Sequence, residues 1–178
     1  MITTANQQLL LDVARRAIVA TVTGTPEAKP HAEGELATRA AAFVSLHIAG
    51  ELRGCIGHLE ENDPLVHTVA ECARLACTVD PRFPAVTQAE MDLIDVEISI
   101  LGRRERVTSP QEIVVGQHGL VVERDGRKGL LLPQVATEFQ WTAERFVEQA
   151  CLKAGLSRDG WRRGATLWRF EAQVFGNR

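Results

Sequence analysis

Apolar residues recur along this chain with two different periods, and the order of those periods outlines a fold. Leu9, Leu10, Val13, Ala14, Ala17 and Ile18 fall at helical spacing while Asp12, Arg15 and Arg16 take the other side, which predicts a helix over about residues 6–21. Gly24-Thr25-Pro26 stops it, and residues 26–38 read as a long exposed loop, of a length that marks it as mobile or functional, with mobility the expectation. The period then changes to two. Val44, Leu46 and Ile48 share one face and Phe43, Ser45 and His47 the other, giving a half-buried strand. Ala49-Gly50-Glu51 turns the chain, and residues 52–57 return as an antiparallel partner with Arg53 and Cys55 on one face and Ile56 on the other.

Asn62-Asp63-Pro64 opens a helix that runs to about Thr78, with Asp63 as its cap and Pro64 at the first helical position. Because only residues 58–62 separate it from the preceding strand, its free amides and positive dipole end are expected near Cys55. Asp80-Pro81-Arg82-Phe83-Pro84 is a rigid extended loop, and Thr87 to Glu90 has capping-box spacing for a helical turn. Ile94, Val96, Ile98 and Ile100 alternate with Asp95, Glu97 and Ser99 in the clearest strand of the chain, whose carboxylates are expected at solvent. Ser109-Pro110-Gln111-Glu112 opens a short helix, and Asp125-Gly126 joins residues 119–124 and 128–132 as a hairpin. Pro133-Gln134 ends that strand, a helix follows over about 142–154 with Gly155 as its cap, and residues 166–175 alternate as a closing strand. Helices separate hairpins instead of alternating with single strands. The pattern therefore predicts an α+β fold, a mainly antiparallel sheet flanked by helices.

Composition changes this picture little. Of 178 residues 45% are apolar and 24% charged, and the net charge of −3 supplies no general attraction to nucleic acid. The short basic groups Arg103-Arg104 with Arg106, and Arg162-Arg163, read as solvated surface. The start of the chain lacks a basic then apolar leader, and no long uncharged apolar run suits a membrane, so the cytoplasm is the expected compartment and the cysteines are expected reduced.

Chemistry concentrates at Leu52-Arg53-Gly54-Cys55-Ile56-Gly57. Two glycines in a strand bring another backbone or a ligand close, and an arginine beside a cysteine favours the thiolate. Cys72, Cys77 and Cys151 read as small buried hydrophobes. Cys55 admits three readings: a nucleophile, a redox or metal thiolate, or a small residue in a crowded strand. A nucleophile needs a base, for which His47, His58, His118 and Glu97 are eligible. No His-x3-His or Cys-x2-Cys pair points to a metal, and neither Gly54-x2-Gly57 nor Gly116-x2-Gly119, which flanks His118, is a phosphate loop; no cofactor is implied.

The hexapeptide 52–57 resembles the signature of the AMMECR domain, and three further blocks fit the same pattern in the same order. They are Asp80 to Val86 running on to Val96 to Leu101, then Gly129 to Ala136, then Lys153-Ala154-Gly155-Leu156 with Trp161. The resemblance covers most of the chain and implies one domain over residues 5–178 with a large and a small lobe. In bacteria such a domain is similar to protein A of the AmmeMemoRadiSam system, which implies a Memo-like protein and a radical S-adenosylmethionine enzyme as partners on separate chains. It implies no settled reaction. What it carries onto this sequence is a site at Arg53, Gly54, Cys55 and Gly57, lined by Pro133, Gln134 and Lys153, with His58 standing where the family commonly has a small or hydroxyl residue. Three functional readings follow: an accessory protein that presents a cleft around Cys55, an enzyme with Cys55 as nucleophile, Arg53 holding an anion and a nearby histidine such as His58 or Glu97 as base, or a structural or adaptor domain in which residues 53–57 only shape a crowded corner.

Overall fold

The computed structural model describes residues 2–176, so the last two residues of the expected domain lie outside them. The chain forms two compact units, one built from residues up to Ile100 together with those from Gln173 onward, the other from Leu101–Ala172. The fold is α+β, and its paired strands run antiparallel as the alternating periods predict.

In the first unit, helix α1 (Thr4–Thr23) starts where the Thr3 hydroxyl accepts the Asn6 N–H and stops at Gly24 in the left-handed conformation. Its buried stripe is Leu10, Leu11, Val13, Ala14, Ala17 and Ile18, while Leu9 stays exposed. Strands β1 (Ala42–Ile48) and β2 (Glu51–His58) form the expected hairpin. The two turn residues Ala49 and Gly50 both take positive φ, 51° and 84°, which matches a tight turn to the twist of its strands. β1 also pairs with β3 (Ile94–Leu101), so β1 is central and β2 is an edge strand.

Helix α2 (Leu65–Thr78) begins one residue later than its sequence suggests, with Pro64 at the cap position and no side-chain cap bond. Pro64 is held extended by a bridge to Arg39, and the Leu65 N–H donates to the Thr38 carbonyl at 2.8 Å, so helical geometry cannot start before Leu65. The helix runs back along β2: a Cβ on Gly54 would strike the Ala76 carbonyl oxygen, whereas His58 lies 3.6 Å from Glu71. Cys55 therefore sits toward the C-terminal half of α2, and the expected meeting of the cysteine with the helix N-terminus does not occur. α1, α2 and the apolar faces of β1 and β3 close one core, in which fully buried Leu10, Leu46, Leu65 and Ile98 each contribute about 1.5–3 kcal/mol. The long 26–38 segment is pinned to this unit: Glu27 pairs with Arg74 at 3.1 Å, His67 Nε2 meets the Pro30 carbonyl at 3.0 Å, and Gly34–Ala37 forms a 3-10 turn.

In the second unit, β5 (His118–Arg124) and β6 (Arg127–Leu131) join through Asp125 and Gly126 at φ 50° and 75°, the predicted tight hairpin. β7 (Thr166–Gly176) pairs with β5 and with a short strand β4 (Glu105–Val107) that the sequence pattern does not show. Pro133 ends β6 as expected but also opens a further helix, α3 (Pro133–Glu138), because its missing N–H and fixed φ suit the first helical position. Helix α4 (Ala143–Lys153) is capped by Thr142 and lies so close to the hairpin that a Cβ on Gly129 would meet the backbone of Ala150 and Ala154.

Substituting Gly54 by alanine forces a methyl against the backbone of α2, which has no side chain to swing aside. We expect Gly54→Ala to destabilise the protein by about 1–3 kcal/mol, read as a lowered urea midpoint at unchanged slope. An unchanged midpoint would show that α2 is not seated on this strand.

Candidate functional site

The site is built on the free edge of β2. Leu46 pairs with Gly54 but His47 pairs with Leu52, so Arg53 is the extra residue of a β-bulge. Beyond the bulge Cys55 lies opposite Ser45, and Ser45 lies opposite Glu97 on β3, so the three residues form one row across the strands. The Cys55 N–H points away from β1, which makes Ser45 and Cys55 a non-hydrogen-bonded pair with side chains close together. The Ser45 hydroxyl accordingly donates to the Cys55 sulfur at 3.2 Å.

The outward backbone groups of Cys55 are met by the loop that follows α2. Buried Asp80 accepts the Cys55 N–H through Oδ2 at 2.8 Å, and Arg82 Nη2 donates to the Cys55 carbonyl at 3.4 Å. Arg82 is itself gripped by Asp80, through Nη2 to Oδ2 at 2.7 Å and Nε to Oδ1 at 3.0 Å. The Arg82 hydrogen bonds, ahead of the backbone N–H groups of Cys55 and Arg82, lower the Asp80 pKa to about 2 against the opposing effect of burial. In return Asp80, and after it the Cys55 side chain, raise the Arg82 pKa.

Arg53 does not reach the sulfur. Its Nε and Nη2 take the two carboxylate oxygens of Glu90 at 2.8 and 3.2 Å, and Nη1 donates to the Pro84 carbonyl at 2.8 Å. Glu90 also closes the expected capping box with Thr87, and Arg53 first, then Thr87, holds its pKa down at about 2. The cation at the cysteine is Arg82, which sequence reasoning missed together with Asp80 and Ser45. The signal available was an Asp-x-Arg pair in a proline-stiffened loop following a helix that returns along an edge strand.

The remaining candidates fall in both units. Gly54 and Gly57 leave room that the protein itself fills, with the Ala76 carbonyl and the Phe43 ring respectively, so both glycines have a packing reason. His58 continues the ladder opposite Ala42, and its Nε2 lies 3.6 Å from Glu71 of α2, on the face away from Cys55. His47, opposite Asp95, is buried with Nδ1 unbonded among the described residues. His118, Pro133, Gln134 and Lys153 belong to the unit Leu101–Ala172, whereas Arg53, Gly54, Cys55, Gly57, His58 and Glu97 belong to the other. There Pro133 and Gln134 start α3 and Lys153 is the last residue of α4. Cys72, Cys77 and Cys151 are buried as expected, and burial pushes the Cys72 thiol up to about 12; Cys55 is half-buried. Among the described residues no three His, Cys, Asp or Glu side chains converge as metal ligands. What remains is a half-buried thiol beside a hydroxyl donor and a guanidinium, an arrangement with room for a polar or anionic group.

The Asp80 pKa gives this edge a pH dependence. Its folded value of about 2 lies below the ordinary carboxylate value, so its stabilisation is complete above about pH 5 and is lost as the pH falls toward 2. We expect Asp80→Asn to be less stable than wild type at pH 7 by on the order of 2 kcal/mol, and the gap to narrow toward pH 2. Urea unfolding of both proteins across that range is the measurement, and a gap that does not change with pH contradicts the assignment.

Comparison with known proteins agrees with this fold. A model of the AMMECR1 family matches residues 11–175. A protein of Methanothermobacter thermautotrophicus is 49% identical over 144 residues, 77% of this chain and 75% of its own length. One of Methanopyrus kandleri is 42% identical over 180 residues, covering 94% of this chain and 86% of its own. The crystal structure of an uncharacterised protein from Pyrococcus horikoshii superimposes with a TM-score of 0.88 at 37% identity, over 95% of this chain and 90% of that one. The length of these matches, together with the shared fold, places the chain in the AMMECR1 family.

Proposed function

We propose that the protein is an accessory component of an AmmeMemoRadiSam-type system, offering the edge around Cys55 to a substrate or partner while a Memo-like protein and a radical S-adenosylmethionine enzyme supply the chemistry from separate chains. The observation that carries this reading is the company of the sulfur. Ser45 donates to it and the Arg82 guanidinium, which donates to the Cys55 carbonyl, stands beside the residue, whereas His58 faces the other way and Arg53 is committed to Glu90. Donors around a thiol suit capture of a group, and a base in contact with the thiol is what a nucleophilic enzyme requires.

A second reading keeps Cys55 as the nucleophile of a stand-alone enzyme. It is favoured by the same donors, which would stabilise a thiolate once formed, and by the row that leads from Cys55 through Ser45 to Glu97. Titration with a neutral alkylating reagent separates the two. Native protein is expected to lose one thiol rapidly, with Cys55→Ser abolishing the fast phase and the buried cysteines reacting only after unfolding. A thiolate already formed well below about pH 8.5 supports the enzyme. For the accessory role, the full chain co-expressed with a Memo-like protein and a radical enzyme should co-purify with them, and Arg82→Gln should weaken retention. Failure to associate with either partner overturns it.

A further inference from the structure

His118 belongs to the unit Leu101–Ala172, whereas Cys55 belongs to the other, and neither functional reading assigns it a role there. It is the first residue of β5, inside the Gly116-x2-Gly119 segment, and is 7% exposed. It borders a depression of about 390 Å³ whose lining includes Arg103, Glu105, Gln117, Arg169 and Glu171, all within the unit Leu101–Ala172. The imidazole is held in one tautomer. The Val114 backbone N–H, which can only donate, is bonded to Nδ1 at 2.9 Å, so Nδ1 carries no proton and the proton of the neutral ring sits on Nε2. Among the described residues Nε2 has no hydrogen-bond partner, and it is not sealed from solvent. The ring thus presents a single N–H donor to the depression from an otherwise buried side chain.

The neighbours of this donor are already paired, with one exception. Arg169, on β7, donates to Glu105 on β4 at 2.9 Å and to the Glu112 carbonyl, and Gln117 donates to Glu171 at 2.9 Å. Arg103 has no ion-pair partner among the described residues. Protonating His118 would place a second proton on Nδ1 and break the Val114 bond. Burial first, then the Arg169 charge, lowers its pKa, with Glu171 and Glu105 opposing. A histidine so locked is a poor metal ligand, because its one free position bears hydrogen, and a poor base. It is a good neutral donor to oxygen, as in the isomerase where a neutral imidazole polarises a carbonyl.

We propose that this depression binds a small carboxylate, one of whose oxygens accepts from His118 Nε2–H while Arg103 balances its charge. Arg169 is paired with Glu105, which leaves Arg103, without an ion-pair partner among the described residues, to meet the carboxylate, and the glutamates Glu105 and Glu171 in the lining repel a dianion such as phosphate more than a monoanion.

The test uses the full chain with its histidines labelled with 15N. The imidazole spectrum is expected to show Nε2 protonated and Nδ1 bare at pH 7, and to keep that pattern below the ordinary histidine value of about 6.5. Sodium acetate and sodium pyruvate, added at constant ionic strength, should shift the His118 Nε2 signal saturably, and inorganic phosphate should bind more weakly. Arg103→Gln changes an exposed side chain and should fold; it is expected to weaken carboxylate binding about tenfold while leaving the tautomer unchanged. His118→Phe removes the donor and should abolish binding. The proposal is overturned by a proton on Nδ1, by the lack of a saturable shift with either carboxylate, by tighter binding of phosphate, or by unchanged affinity in Arg103→Gln.

Discussion

An edge strand leaves one row of backbone N–H and C=O groups without a partner strand, and in this protein the segment after α2 completes that row. The Cys55 N–H and C=O are satisfied by Asp80 and Arg82, two residues apart in a loop that prolines keep extended. An unmet buried donor costs on the order of 1–3 kcal/mol, and an open edge invites pairing with other chains. The bulge adds a second fastening. By giving β2 one extra residue it releases Arg53 from the ladder, and Arg53 then clamps Glu90 and the Pro84 carbonyl at the far end of the same loop. Helix, loop and strand edge are thereby coupled, with Cys55 at the point where they meet.

The two glycines beside Cys55 belong to the same economy of space. Gly54 lets the backbone of α2 approach and Gly57 admits the Phe43 ring. A glycine in a strand signals close approach by something, and here that something is the protein itself. The chemical character of the edge comes instead from Ser45 across the ladder and from Arg82, whose charge is held in place by Asp80. The ionisation of the buried Asp80 carboxylate is held well below the usual carboxylate range by Arg82.

The second unit shows a comparable principle at His118. A backbone N–H selects the tautomer of a buried ring, and the tautomer decides which chemistry the ring can offer. Two glycines, Gly116 and Gly119, flank this histidine in the sequence. Gly119 makes room for Phe170 across the ladder, while Gly116, at φ 86°, supports the turn that brings Val114 back to the imidazole.

Much of the architecture was legible in the letters. Alternation along Val44 to Ile48 and Ile94 to Ile100, the helical stripe from Leu10 to Ile18, and Asp125-Gly126 between two apolar runs are local patterns whose physics acts over a few residues, and each became the element it predicts. The four ordered blocks likewise identified the family. The short strand β4 and the helix α3 were not legible, since three residues carry no period and Pro133 can end a strand and start a helix alike. The partners of the site residues were also invisible. Parity placed Arg53 beside Cys55, but a bulge shifts parity by one and depends on pairing with a different strand. Sequence alone determined that a cysteine would stand in a hairpin strand between two glycines. Which arginine faces it, which histidines turn away and which proton His118 keeps were decided only when distant segments packed, because a hydrogen bond depends on distance and direction in space and not on separation along the chain.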